Sequence, residues 1–240
     1  MDASADPFSR VRLLMGARAV EAFARARVAV FGLGGVGGWC AEALVRSGVG
    51  NLMLVDDDRV APSNLNRQLP ALSSTVGRFK VDVLAERFRD ANPAAVIDAR
   101  AERYTPERAA SFDLTRFDCV VDAIDSVQCK AHLIRSAAER GVAVFSSMGA
   151  AARLDPSRIR ATPFRKVEGD GLARALRRRF KDDGWPAREF TCVWSDEPPA
   201  NLGERSEDDG AANGSLMPVT ASFGLRLASL ALSFIGGAHG

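Results

Sequence analysis

Val28-Ala-Val-Phe-Gly-Leu-Gly-Gly-Val-Gly-Gly38 is the stretch that decides the fold. Its first four residues form a short apolar run that stops at glycines, as a strand buried on both faces reads. Trp39 to Ser47 carries a helical pattern and ends at Gly48. Asn51-Leu-Met-Leu-Val55 repeats the buried-strand pattern and closes on three aspartates, Asp56 to Asp58. Strand, glycine turn, helix and strand in that order predict a βαβ unit with a parallel pair.

The alternation continues outward. A helix is expected over residues 11 to 26 and another over Lys80 to Asp90, stopped by Asn92-Pro93. Strands are expected over Ala95 to Asp98, Phe117 to Val121 and Val142 to Phe145, with a helix over Ala131 to Arg140. This predicts an α/β fold: a Rossmann-like, doubly wound, mainly parallel sheet with a C-terminal extension of strands and helices. We expect one domain over 1–240. It divides into a nucleotide-binding core over 8–160, a variable segment over 161–212 and a return to the core over 213–237.

The composition is that of a soluble globular chain, 47% hydrophobic and 26% charged. The net charge of +2 is too small to imply nucleic acid by itself. It conceals a segregated distribution: residues 153 to 188 hold eleven Arg or Lys against five Asp or Glu, and residues 189 to 210 hold seven acids against one Arg. Glu204 to Gly214 is polar and glycine-containing, and is expected as a mobile loop. The four cysteines, Cys40, Cys119, Cys129 and Cys192, include no Cys-x-x-Cys, so the paired spacing of a zinc ribbon is absent. The N-terminal residues lack a signal-peptide core, and Pro218 and Arg226 interrupt the apolar stretch from Ser215 to Gly237. The expected location is cytoplasmic, with that stretch as a buried or dimer-facing helix.

Gly32, Gly34, Gly35 and Gly37, between a strand and a helix, suit a phosphate: the turn lets backbone approach it and the helix presents unpaired N–H groups. Asp56, at the end of the second strand, suits a ribose. A nicotinamide cofactor does not explain the two cations beyond it. Arg67 lies in Ser63-Asn-Leu-Asn-Arg-Gln68, and Lys80 closes Gly77-Arg-Phe-Lys80. Two further cations suit a triphosphate whose α–β bond breaks, because charge then builds on pyrophosphate. Asp125, after the Phe117 strand, is placed to hold Mg2+ beside ATP. Only His132 and His239 occur, and neither reads as a hydride-transfer acid.

FSRVRLLMG, VAVFGLGGVG, LVDDDRVAPSNLNRQ, VGRFK, VVDAIDS and SSMGAAARLDPSRI, in this order between Phe8 and Ile159, resemble the ThiF/MoeB family of ubiquitin-activating-type adenylating enzymes. The resemblance implies catalytic roles for Arg10, Arg67, Lys80 and Asp125, and nucleotide contacts from Gly32, Gly34, Gly35, Gly37, Asp56, Asp58, Asn64 and Ser126. Arg10 looks like the arginine that this family supplies to the neighbouring subunit, which implies a homodimer.

Within the family, VVDAIDSVQCKAHLI and LDPSRIR are similar to the branch that dehydrates threonylcarbamoyladenosine in tRNA through an adenylate. That makes tRNA the implied partner and admits a cysteine desulfurase or sulfur acceptor as another. The alternatives are an adenylyltransferase for the Gly-Gly end of a sulfur carrier, and a non-catalytic nucleotide-binding partner in sulfur transfer. Cys192 reads as a buried strand cysteine beside Phe190 and Trp194, with an acyl- or sulfur-accepting role as the alternative. The basic segment from Arg153 to Arg188 reads as a tRNA surface or, alternatively, as a solvated helix neutralised by the acidic loop.

Overall fold

The structure is a computed structural model that describes residues 6–204 and 213–237. Most of the acidic loop expected over Glu204 to Gly214, together with His239, lies outside the described residues. Seven strands form one sheet: β1 (Arg27–Phe31), β2 (Asn51–Val55), β3 (Val96–Arg100), β4 (Cys119–Asp122), β5 (Ala143–Ser147), β6 (Ile159–Pro163) and β7 (Thr191–Ser195). Their order is β3-β2-β1-β4-β5-β7-β6, parallel except for the β6–β7 pair. The doubly wound expectation is met, and the extension adds β7 and the antiparallel edge strand β6.

Among the described residues seven α-helices flank the sheet: α1 (Ser9–Met15), α2 (Ala17–Arg25), α3 (Gly37–Arg46), α4 (Lys80–Ala91), α5 (Val127–Glu139), α6 (Gly171–Asp183) and α7 (Met217–Ile235). The single helix expected over 11–26 is two helices, because Gly16 at φ 84° breaks the ladder between them. Helix α5 starts four residues before the expected Ala131.

Side chains alternate across the central strands as the pleat requires. Val28 and Val30 join α2, α3, α4 and α7 in one core, while Ala29 and Phe31 join α5 and α6 in the other. The long apolar helix α7 belongs to the first core, with Val219, Phe223, Leu227 and Ala231 buried. By length and composition alone it could cross a membrane. Here it lies against α3 so closely that a Cβ on Gly224 would stand 2.3 Å from the Val36 carbonyl oxygen. Gly224→Val is therefore expected to lower the unfolding free energy by roughly 3 kcal/mol or more, since neither backbone can yield without moving a helix. Urea denaturation checks this.

A fully buried ion pair sits where β4 passes into α5. Lys130 Nζ lies 2.8 Å from Asp122 Oδ2, and both side chains are 0% exposed. Further hydrogen bonds support the pair: Lys130 also donates to the Ile124 carbonyl (2.9 Å), Ser146 Oγ donates to Asp122 Oδ2 (2.6 Å), and the Ile124 amide donates to Asp122 Oδ1 (3.1 Å). Two charges removed from water gain little net stability, so the gain is in shape: the loop 123–126 is clamped at both ends. Lys130→Met leaves Asp122 charged and unpaired in the core. It should cost about 3–5 kcal/mol in denaturant unfolding, far more than an exposed lysine would.

Candidate active site

The order of strands reverses between β1 and β4, so the loops that leave their carboxyl ends turn to opposite faces and open a crevice. A cleft of about 350 Å³ occupies it. The glycine turn after β1, the aspartates after β2, and the loop after β4 all line it, joined by Arg67 and Lys80 from the β2–α4 excursion.

The glycine turn is set by backbone crowding. A Cβ on Gly37 would lie 1.8 Å from the Gly32 carbonyl oxygen, so the first turn of α3 can close over the strand end only with glycine there. Gly32, Gly34 and Gly35 line the cleft; Gly37 does not, and its role is this packing.

Asp56 ties the glycine turn to β2. Its Oδ2 accepts from the Leu33 amide (2.6 Å) and its Oδ1 from the Asp58 amide (2.9 Å). Burial raises its pKa, opposed by the positive charge of Lys80 and these two amide bonds. Each oxygen keeps acceptor capacity for a ribose hydroxyl.

Lys80 is the first residue of α4, 4% exposed, and its Nζ donates to Asp58 Oδ2 at 2.7 Å. A buried cation at a helix N-terminus opposes the dipole, which favours an anion there. A bound phosphate removes that conflict. Arg67 reaches the cleft from the other side, with Nη1 donating to the Ser63 carbonyl and to Asn66 Oδ1, both at 2.9 Å. The Trp39 indole holds the Arg67 backbone carbonyl at 3.0 Å and so fixes this loop to α3.

Asp125 and Ser126 line the cleft on the clamped loop. Asp125 is exposed and makes no ion pair or hydrogen bond among the described residues. An unpartnered carboxylate facing two phosphate-suited cations fits a hard divalent ion such as Mg2+. A second group of carboxylates, Asp56, Asp57 and Asp58, converges within 4.8 Å on the opposite wall.

Two expected residues stand elsewhere. Asn64 does not line the cleft: its Oδ1 accepts from the Ala61 amide at 3.1 Å and shapes the turn that aims Arg67. Arg10 is exposed on α1 and lies outside its own chain's cleft.

The cleft also contains residues to which the sequence reading gives no role. Gln68 is buried, lines the wall, and leaves Oε1 without a hydrogen-bond partner. Its only signal in sequence is adjacency to Arg67. Glu102, Arg103 and Tyr104, after β3, also line it, with Phe31, Val55, Ile124 and Cys129. Tyr104 packs edge-on against Phe31 (5.2 Å between centroids), and its hydroxyl meets His132 Nδ1 at 3.0 Å. Burial pushes the phenol up to about 12, so it stays protonated. The cleft lining thus combines apolar and aromatic side chains suited to a base with cations suited to phosphates.

Comparison with known proteins agrees with this geometry. The ThiF family profile matches residues 8–239. A Bacillus subtilis tRNA threonylcarbamoyladenosine dehydratase is 40% identical over 197 residues, 82% of this chain and 77% of that protein. The Escherichia coli protein of the same description is 35% identical over 96% of this chain and 94% of its own length. The crystal structure of the Escherichia coli dehydratase TcdA in complex with ATP superposes with a TM-score of 0.89 at 35% identity, covering 100% of this chain and 99% of that one. A family profile that spans both the cleft and the C-terminal return leaves one conclusion: the chain belongs to the ThiF family.

Proposed function

We propose that this chain is an ATP-dependent tRNA threonylcarbamoyladenosine dehydratase. The observation that carries the reading is the make-up of one cleft: Phe31 and Tyr104 suited to a base, Asp56 suited to a ribose, Arg67 and Lys80 suited to phosphates, and an Asp125 with no partner among the described residues. Relatives with this description match over most of their length, one of them with ATP bound.

The chemistry is set by the charge layout. The threonyl carboxylate is a poor electrophile because its leaving group would be oxide. One carboxylate oxygen attacks the α-phosphorus of ATP, the α–β P–O bond breaks, and pyrophosphate leaves. Arg67 and Lys80 stabilise the charge that develops on it. Asp125 would hold magnesium, whose positive charge would add to that of the two cations. Gln68 Oε1 and the amides of the glycine turn orient the nucleotide. A nucleophile within the same substrate then attacks the acyl carbon, the acyl–O bond breaks, and AMP leaves with the former carboxylate oxygen. The net change is loss of one water. Ring closure needs only proximity, worth several kcal/mol on its own.

We also propose a single cytoplasmic domain over 1–240 that works as a homodimer, with Arg10 reaching the triphosphate in the neighbouring subunit. The support is that Arg10 is exposed and α1 leaves Leu13 and Leu14 about 80% exposed beside it.

Incubation with ATP and tRNA bearing threonylcarbamoyladenosine should release AMP and lower the mass of the modified nucleoside by one water. Unchanged mass, with pyrophosphate exchange only when a Gly-Gly-ended carrier is added, would move the assignment to the sulfur-carrier activators. In the same assay Asp125→Ala should reduce turnover at least about a hundredfold, the scale of losing one positioned electrostatic group, with its thermal unfolding unchanged. Mixing Arg10→Ala with Asp125→Ala should restore about a quarter of wild-type turnover, because random exchange makes half the dimers mixed and each has one complete site. No recovery after proven subunit exchange would remove Arg10 from the neighbour's site.

A further inference from the structure

The eleven cations between Arg153 and Arg188 do not form one basic surface. Arg153 is buried against Asp170. Arg158 and Arg160 pair with Asp196, Arg165 with Glu189, and Arg179 with Asp183. Arg177 donates to the carbonyls of Phe164 and Val167, and Arg188 to that of Gly141. Lys166, Arg174, Arg178 and Lys181 remain, all exposed, with no side-chain hydrogen bond or ion pair among the described residues.

Three of these four stand in register on α6. Arg174, Arg178 and Lys181 are spaced i, i+4, i+7, so they fall within roughly 60° of arc and span about 10 Å. They lie opposite the buried face of Ala173, Leu176 and Phe180. Like charges at i, i+4 weaken a helix, and Arg174 near the helix start opposes the dipole. The stripe therefore serves something other than the stability of α6.

Its position relates it to the cleft. The α6 N-cap, Asp170, accepts from the Ala173 amide through Oδ1 and from the Gly149 amide through Oδ2. Gly149 comes just after β5, and β5 neighbours β4, whose end leads into the clamped loop of Asp125. The stripe thus begins at the sheet edge that carries the cleft and runs away from it.

We propose that Arg174, Arg178 and Lys181 form a docking surface for the phosphate backbone of the substrate tRNA; this rests on the function proposed above. A row of unpaired cations, flanked by cations already neutralised, complements a regularly spaced polyanion. The phosphate contacts position the RNA and leave the chemistry to the cleft.

The test uses the full chain and tRNA bearing threonylcarbamoyladenosine, with binding measured against salt. R174Q/R178Q/K181Q should weaken tRNA binding at least about tenfold at moderate salt and flatten the log–log salt slope by about two to three. Its ATP affinity and unfolding midpoint should match wild type. R174K/R178K/K181R keeps the charge and should bind within about threefold of wild type, as a phosphate-tracking surface allows. A triple glutamine variant with wild-type affinity and slope overturns this inference alone. A wild-type chain that binds no tRNA overturns the proposed function as well.

Discussion

The parallel pairing of β1 with both β2 and β4 is the constraint on which the site depends. It makes β1 an interior strand at the point where the strand order reverses, and it forces the chain to leave the carboxyl ends of β1 and β4 toward opposite faces. The crevice between them is a consequence of topology. The sequence must then supply a turn short enough not to fill that crevice, which the crowding of Gly37 against Gly32 achieves. It must also supply a residue that fixes the turn to its neighbour, which Asp56 does through the Leu33 amide.

The β4 side is held in two ways. The loop 123–126 packs against Gly32, where a Cβ would stand 2.6 Å from the Ala123 carbonyl oxygen, and the buried Lys130–Asp122 pair holds it as well. A hydrophobic contact of the same volume would stabilise as well but would not specify a direction. Four hydrogen-bonded or ionic contacts, to Asp122, Ile124 and Ser146, give the loop one conformation, and Asp125 is left facing the cleft with no partner among the described residues. Backbone sterics at Gly32 and Gly37 thus shape both walls, and the desolvated ion pair adds to them on the β4 side. Between them the cations Arg67 and Lys80 come from one long excursion, whose ends are pinned by the bridge between Arg59 and Phe79.

How much of this is legible in the sequence depends on how local each signal is. The strand Asn51–Val55 and the glycine turn are contiguous patterns, and the fold keeps them with the expected bounds. Arg67, Lys80 and Asp125 carry a charge where no local structural need explains one, and the fold brings them to a single cleft. Tyr104 and His132 are not legible, because their contact joins a loop after β3 to the middle of α5, across 28 residues, and neither lies in a repeated pattern. Lys130 has a faint signal: a lysine on a helix face otherwise made of Ala131, Leu133, Ile134 and Ala137. Asn64 misleads for the opposite reason. It sits inside the cleft motif, yet its side chain is used by the turn. Arg10, in the proposed dimer, belongs to a site that one chain does not complete.

The four cysteines bear on how the ring closes. A thioester route needs a thiolate within reach of an acyl group. Cys192 is fully buried on β7, and burial holds its thiol well above the usual range, only partly offset by the charge of Lys130. Cys40 and Cys119 are buried and pushed up in the same way. Cys129 lines the cleft but is itself buried, packed in the apolar cluster with Phe31, Tyr104 and Ile124. The reaction best suited to this arrangement keeps the acyl group on AMP until the substrate's own nucleophile displaces it. The protein then has to do only two things after adenylation: exclude water from the acyl carbon and hold the modified nucleoside still. A cleft whose glycine turn is set by backbone crowding, and whose β4 loop is held by that crowding and by a buried ion pair, suits both.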